Sequence, residues 1–188
     1  MPYYEYFHHP NNNFGIVVFS KYKIVKREPL FLPISITNGS VYCELDIHGK
    51  RVGLISYHLY SYNFRNIEGF SQMNYIQKGL VLNRLVKNTY KRQEAQLNGI
   101  MEYAKSINLP LIIAGDLNNI PDSYFYHQLT ANYKDSFMEK GRGRGLTYPL
   151  LSVRIDYQFC SPQMKVLKHE VLKSEFSDHY PVLVSYGL

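Results

Sequence analysis

Apolar and polar positions alternate most clearly over Val41-Tyr42-Cys43-Glu44-Leu45-Asp46-Ile47, a period that predicts a half-buried strand. His48-Gly49-Lys50 has the composition of a hairpin turn, so Arg51 to Tyr57 is expected to run back beside it, with His58 directly at its end. Upstream, Gly15 to Ser20 is β-branched and aromatic; a turn over Ser20 to Tyr22 and a short extended piece to Val25 follow. Residues 1–13 are rich in Tyr, His and Asn without a clear period, so an irregular start is expected, with His8-His9 in solvated loop.

The period changes to that of a helix from about Gln72 to Ser106. Ile76, Leu80, Leu82, Leu85, Leu97, Ile100 and Ala104 recur on one side, while Lys87, Lys91, Arg92 and Lys105 mark a solvated one. The length suggests two pieces or a kink. Residues 63–71 read as loop. After Asn108-Leu109-Pro110 the apolar run Leu111-Ile112-Ile113-Ala114 predicts a strand buried on both faces, delivering Gly115-Asp116-Leu117-Asn118-Asn119 into a turn. Pro121 suits the first turn of a helix to about Leu129, capped by Asn119. Val153 to Phe159 is a strand, with Asp156 on the face of Arg154 and Gln158, and Tyr180 to Tyr186 is the last strand. Strands grouped around helices indicate one α+β or layered α/β domain over residues 1–188.

Composition narrows this picture modestly. A net charge of +6 favours anionic partners such as phosphate esters, nucleic acid or acidic membrane surfaces. No apolar run approaches the roughly 20 residues that cross a bilayer, and the start lacks the basic and apolar segments of a signal peptide. Cys43 and Cys160 show no metal-ligand spacing and are read as buried free thiols.

Three polar clusters fall at the ends of expected strands: Gly115-Asp116-Leu117-Asn118, Arg154-Ile155-Asp156-Tyr157 and Ser177-Asp178-His179-Tyr180-Pro181. Asp116 and Asn118 suit catalysis at a strand mouth, and equally suit closing a turn by bonding nearby backbone. His58 suits either a catalytic or a structural histidine. Asp156, within a strand, needs a partner if buried, and His179 is the candidate. Three glycines keep Lys140-Gly141-Arg142-Gly143-Arg144-Gly145 out of regular structure, so Arg142 and Arg144 are candidates to hook phosphates or belong to a mobile basic loop. Arg154 is a further candidate for substrate contact.

With His58 ahead of them, these clusters resemble the successive motifs of the endonuclease/exonuclease/phosphatase superfamily, over roughly Phe14 to Leu188. The resemblance implies a four-layered α/β/β/α sandwich of the deoxyribonuclease I-like type, with the site at one rim of two packed sheets. It implies that His179 contacts the scissile phosphate and activates water, and that Asp156 orients it. Asp116 would handle a proton, Asn118 would hold a phosphate oxygen, His58 would stabilise developing charge and Asp178 would lie at a divalent metal. Carboxylates suit a hard cation, Mg²⁺ with Mn²⁺ as the alternative. The substrate would be a phosphate ester of nucleic acid, lipid headgroup or small molecule.

The resemblance also has a gap. Family members ordinarily begin with an asparagine strand and a Gln-Glu strand whose glutamate binds the metal, and Glu5 follows no expected strand that could replace it. The expectation is therefore an N-terminally incomplete fold with an exposed sheet edge open to self-association, weak activity or a binding role, and an intact protein that could be membrane-anchored.

Overall fold

The computed structural model describes residues 1–8, 15–31, 38–62 and 69–188. Its centre is a six-stranded mixed sheet in the order β3-β4-β5-β6-β8-β7, formed by β3 (Lys23–Phe31), β4 (Gly39–Ile47), β5 (Lys50–His58), β6 (Leu111–Asp116), β7 (Lys134–Asp135) and β8 (Asp156–Cys160). The β4–β5 hairpin forms as the alternation predicts. His48 and Gly49 both have positive φ, 53° and 84°, the conformation of a two-residue turn that matches strand twist. β6 enters parallel to β5 and antiparallel to β8, which makes it the middle strand around which the site is built.

One face of this sheet carries α1 (Tyr75–Lys105) and α2 (Tyr124–Thr130). Ile55, Tyr57, Ile113, Tyr157 and Phe159 of the sheet bury against Leu97, Ile100, Phe125 and Leu129. The other face carries two antiparallel ribbons: β1 (Tyr3–His8) with β2 (Gly15–Ser20), and β9 (Lys165–Val171) with β10 (Val182–Gly187). Phe7 and Val18 of the first ribbon pack on Val41 and Cys43, and Met164, Val166 and Val184 of the second pack around Cys160. Outward-facing Tyr4, Val17, Phe19 and Leu183 are exposed. Among the described residues β2 and β10 each pair along one edge alone.

Several boundaries depart from the sequence pattern. Residues 3–8 form a strand rather than an irregular start, because pairing with β2 and burial of Phe7 supply what the local period lacks. His9, and with it much of the Asn-rich stretch, lies outside the described residues, as do residues 63–68. β3 runs to Phe31 instead of stopping near Val25, held by its register with β4.

The long helix is a single element. Asn74 caps it in a reciprocal capping box with Gln77, and Gly79 and Gly99 face open space, so neither forces a kink. Its buried residues begin at Thr89, and Ile76 and Leu80 are exposed, so the N-terminal half projects from the core. The next helix starts at Tyr124, because Ser123 rather than Asn119 accepts the capping bond. Asn119 instead ties the β6 turn to α1, donating to Gln93 and accepting from Tyr62. Cys43 and Cys160 are buried free thiols. No helix of the described residues is long and apolar enough to cross a membrane.

Candidate active site

The parallel register pairs His58 with Asp116, and the antiparallel register pairs Asp116 with Asp156. Neighbouring strands lie about 4.8 Å apart, so these three side chains form one row across the sheet at the end of β5, the end of β6 and the start of β8. Gly115 lets the row close. A Cβ there would stand 1.8 Å from the Tyr57 carbonyl oxygen, so no larger residue fits where Gly115 of β6 pairs with Tyr57 of β5.

The row is bonded at both ends. His58 Nε2 lies 3.5 Å from Asp116 Oδ2. At the other end His179 Nδ1 meets Asp156 Oδ2 at 2.9 Å. His179 comes from the loop preceding β10, and the ring of Tyr148 packs against it at 4.7 Å. That loop is itself anchored: Tyr180 N–H donates to the Thr147 carbonyl, while Thr147 Oγ1 accepts the N–H groups of Ile155 and Asp156. Asn118, at φ 53°, turns back so that its amide donates to the Leu59 carbonyl at 2.9 Å, and its own N–H donates to Asp116 Oδ1 at 2.7 Å. These bonds close the turn as the local reading of Asp116 and Asn118 expects, and they hold both side chains at the mouth of β6.

Burial, followed by the neighbouring Asp156 carboxylate, pushes Asp116 up to about 7. The hydrogen bond from His179 to Asp156 raises the pKa of the imidazole above its ordinary value. Two carboxylates held close in a half-buried site call for a positive charge between them. Ligand atoms of Asp116, Asp156 and His179 all lie within 4.8 Å of one another, a spacing that fits one cation. Because His179 Nδ1 is engaged by Asp156, the oxygen donors are the two aspartates, the atom type that hard cations take.

The other expected residues fall elsewhere. Asp178 is exposed on the loop, 3.5 Å from Ser177 Oγ, and stands outside that three-residue group, although its charge is felt by Asp116 and His179. Arg154 is not brought to the row. It is 6% exposed, bonds Asp135 at 2.7 Å and lies over the rings of Phe137 and Tyr157. Regular strand begins only at Asp156, so the alternation that would place Arg154 beside it does not extend that far back; Gln158, which donates to the Val182 carbonyl, does share the face of Asp156. Arg142 and Arg144 line an adjacent cavity. Thr147 and Tyr148 support the site without any signal in the sequence, since neither residue type nor spacing marks them.

Comparison with known proteins assigns this architecture to a class. The profile of the Endonuclease/Exonuclease/phosphatase family matches residues 1–179. The chain belongs to that family, whose members hydrolyse phosphate esters, and its fold is the α+β fold of the deoxyribonuclease I-like type. No curated protein matches it by sequence. Among solved structures it is similar to an endonuclease/exonuclease/phosphatase from Bacteroides vulgatus, at 18% identity and a TM-score of 0.69, covering 100% of this chain and 77% of that one. The human Nocturnin catalytic domain with bound sulfate shares 16% identity at a TM-score of 0.67, over 98% and 71% of the two chains. A mannosyl-6-phosphatase from Bacteroides thetaiotaomicron shares 17% identity at a TM-score of 0.61, over 100% and 78%.

Proposed function

We propose that the chain is a divalent-cation-dependent phosphoesterase whose working groups are His58, Asp116, Asn118, Asp156 and His179. The observation that carries this reading is the row of His58, Asp116 and Asp156 on three adjacent strands, completed by His179 bonded to Asp156. Asp156 holds the imidazole by Nδ1 and directs Nε2 toward substrate, where it contacts the phosphate and takes a proton from water. Asp116, at the centre of the row, carries a proton to or from the reacting oxygens. Asn118, fixed by Leu59, positions a phosphate oxygen, and His58 stabilises charge as it develops. Asp116 and Asp156 would hold Mg²⁺, with Mn²⁺ as the alternative, and Asp178 adds negative charge at the same rim. When bound, the cation supplies positive charge against the phosphoryl oxygens.

Hydrolysis of bis-p-nitrophenyl phosphate tests the proposal. Turnover that EDTA abolishes and His179→Ala removes is expected; turnover indifferent to both rejects it. A second reading, a binding module without catalysis, is favoured by one observation: the cation group contains two carboxylates, with Asp178 outside it. It requires no turnover at millimolar Mg²⁺ or Mn²⁺, so metal-stimulated turnover dismisses it. The open edges of β2 and β10 are surfaces for self-association, and a strictly monomeric sedimentation profile at high concentration would dispose of that idea.

A further inference from the structure

The loop 140–146 and the outer strand β9 enclose an open cavity of about 870 Å³, at the upper end of the roughly 300–1,000 Å³ of ligand clefts. Lys140, Arg142, Arg144, Lys168 and Lys173 line it; among the described residues Glu170 is the one acidic side chain of the lining, and it is paired with Lys168 at 2.9 Å. The cavity adjoins the active site through shared backbone. Gly145 and Leu146 on its wall lead directly to Thr147 and Tyr148, and Tyr180 on its wall follows His179.

The arginine loop is held rather than merely long. At Gly141 a Cβ would meet the Phe137 ring at 2.2 Å and at Gly145 at 2.4 Å, so both ends of the loop pack directly on that ring. Gly143 and Gly145 take φ of 71° and 61°, a backbone that other residues adopt at a cost. Phe137 is fixed in turn by the Arg154 guanidinium at 4.5 Å and by His169 in an edge-on contact at 5.4 Å. The expected flexible basic loop is therefore a braced one that presents two guanidinium groups to solvent.

The wall behind the arginines holds a buried polar atom without a partner. His169 lines the cavity and is 8% exposed; its Nδ1 is bonded to Ser136 Oγ at 2.9 Å, and its Nε2 has no partner among the described residues. That nitrogen is sealed from solvent, so the exposed guanidinium groups and not His169 are the cavity's anion contacts.

We infer that this cavity is an anion subsite that holds a second phosphate group of the substrate, beside the phosphate that is hydrolysed, with Arg142 and Arg144 as its principal contacts. Guanidinium groups bind phosphate oxygens in pairs, which suits them to this role. The inference rests on the phosphoesterase reading and narrows it to substrates with at least two phosphates, either a multiply phosphorylated small molecule or a nucleic-acid strand.

Calorimetric titration of the full chain in EDTA, where no turnover occurs, tests it with inorganic tripolyphosphate and with a 5′-phosphorylated oligothymidylate. Binding is expected to weaken about tenfold or more in Arg142→Gln/Arg144→Gln and to weaken steeply with salt. Binding of tripolyphosphate alone identifies a compact ligand, and binding of both identifies a strand. The arginines are exposed, and an unchanged thermal midpoint confirms that the variant folds. No binding of either anion, equal binding by the double variant, or binding confined to anionic phospholipid vesicles overturns the inference. An inactive chain that binds these anions refutes only the hydrolase; an active one that binds neither refutes only the subsite.

Discussion

Arg154 and Asp156 stand two residues apart, and each forms an ion pair at the same turn into β8, yet the two pairs serve different ends. Asp135 and Arg154 are almost completely buried, with side chains 2% and 6% exposed, and three aromatic rings enclose the guanidinium. Asp156 and His179 meet at a similar distance, with side chains 22% and 29% exposed, at the open end of the sheet. In the first pair Asp135 also accepts from the Tyr126 hydroxyl and the Phe137 N–H, so its oxygens are taken up inside the fold and it works as a fixture. The second leaves an imidazole nitrogen and carboxylate oxygens facing outward, next to another carboxylate. Pairing alone does not mark a site; pairing that keeps unspent capacity at a surface does.

Breaking each pair should separate these roles, beginning with the largest effect. His179→Ala is expected to lower the rate of phosphoester hydrolysis by about 10²–10⁴-fold, the usual worth of a positioned acid or base, with a urea unfolding curve close to that of the parent. Equal losses of activity and stability would make His179 a structural residue. Asp135→Ala should do the reverse, costing about 3–5 kcal/mol by leaving Arg154 buried without its partner. Urea denaturation reads this directly, and a loss below about 1 kcal/mol would show that the guanidinium finds water.

Asp116→Asn sharpens the contrast through pH. The folded chain holds this proton up to about 7, against 3.8 as the reference, so between those values it binds more protons than the unfolded chain and its stability falls as pH rises. The amide removes that loss. In EDTA the variant should be more stable than the parent above neutral pH by on the order of 4 kcal/mol, with the advantage fading as pH falls toward the reference value. Stabilisation that is the same at acid and alkaline pH would contradict the assignment. The smallest expected effect is at Tyr148, whose ring orients His179. Tyr148→Leu should lower kcat by about threefold to tenfold, as befits a ring contact of about 0.5–1.5 kcal/mol, with Tyr148→Phe restoring it. A loss shared by Tyr148→Phe would transfer the effect to the hydroxyl.

Four of the five groups of the candidate site were legible in the sequence because each lies at or next to the end of a strand whose apolar pattern is plain: His58 at the end of β5, Asp116 at the end of β6, Asp156 at the start of β8 and His179 shortly before β10. What the pattern could not carry is lateral register. That β6 lies between β5 and β8, so that the three residues align, depends on long-range pairing and not on any local period. Arg154 was misleading for the same reason, since its partner Asp135 lies nineteen residues earlier and is joined to it only by the fold. The first strand escaped notice because Tyr-rich alternation becomes meaningful only once β2 lies beside it. The unbroken α1 differs in kind: its two glycines lower helix propensity, yet packing of its C-terminal half and a full capping box outweigh that cost. The braced arginine loop was also out of reach, because the ring that fixes it, Phe137, precedes it and gives no sign of doing so.

The central claim is that Asp116 and Asp156 together create a seat for a divalent cation. Calorimetric titration of Mn²⁺ at about pH 8, above the raised pKa of Asp116, measures this most directly. One bound ion is expected in the parent, lost in Asp116→Asn and in Asp156→Asn and retained in Arg142→Gln/Arg144→Gln. A parent that binds no ion, or aspartate variants that bind it as well as the parent, would contradict the account.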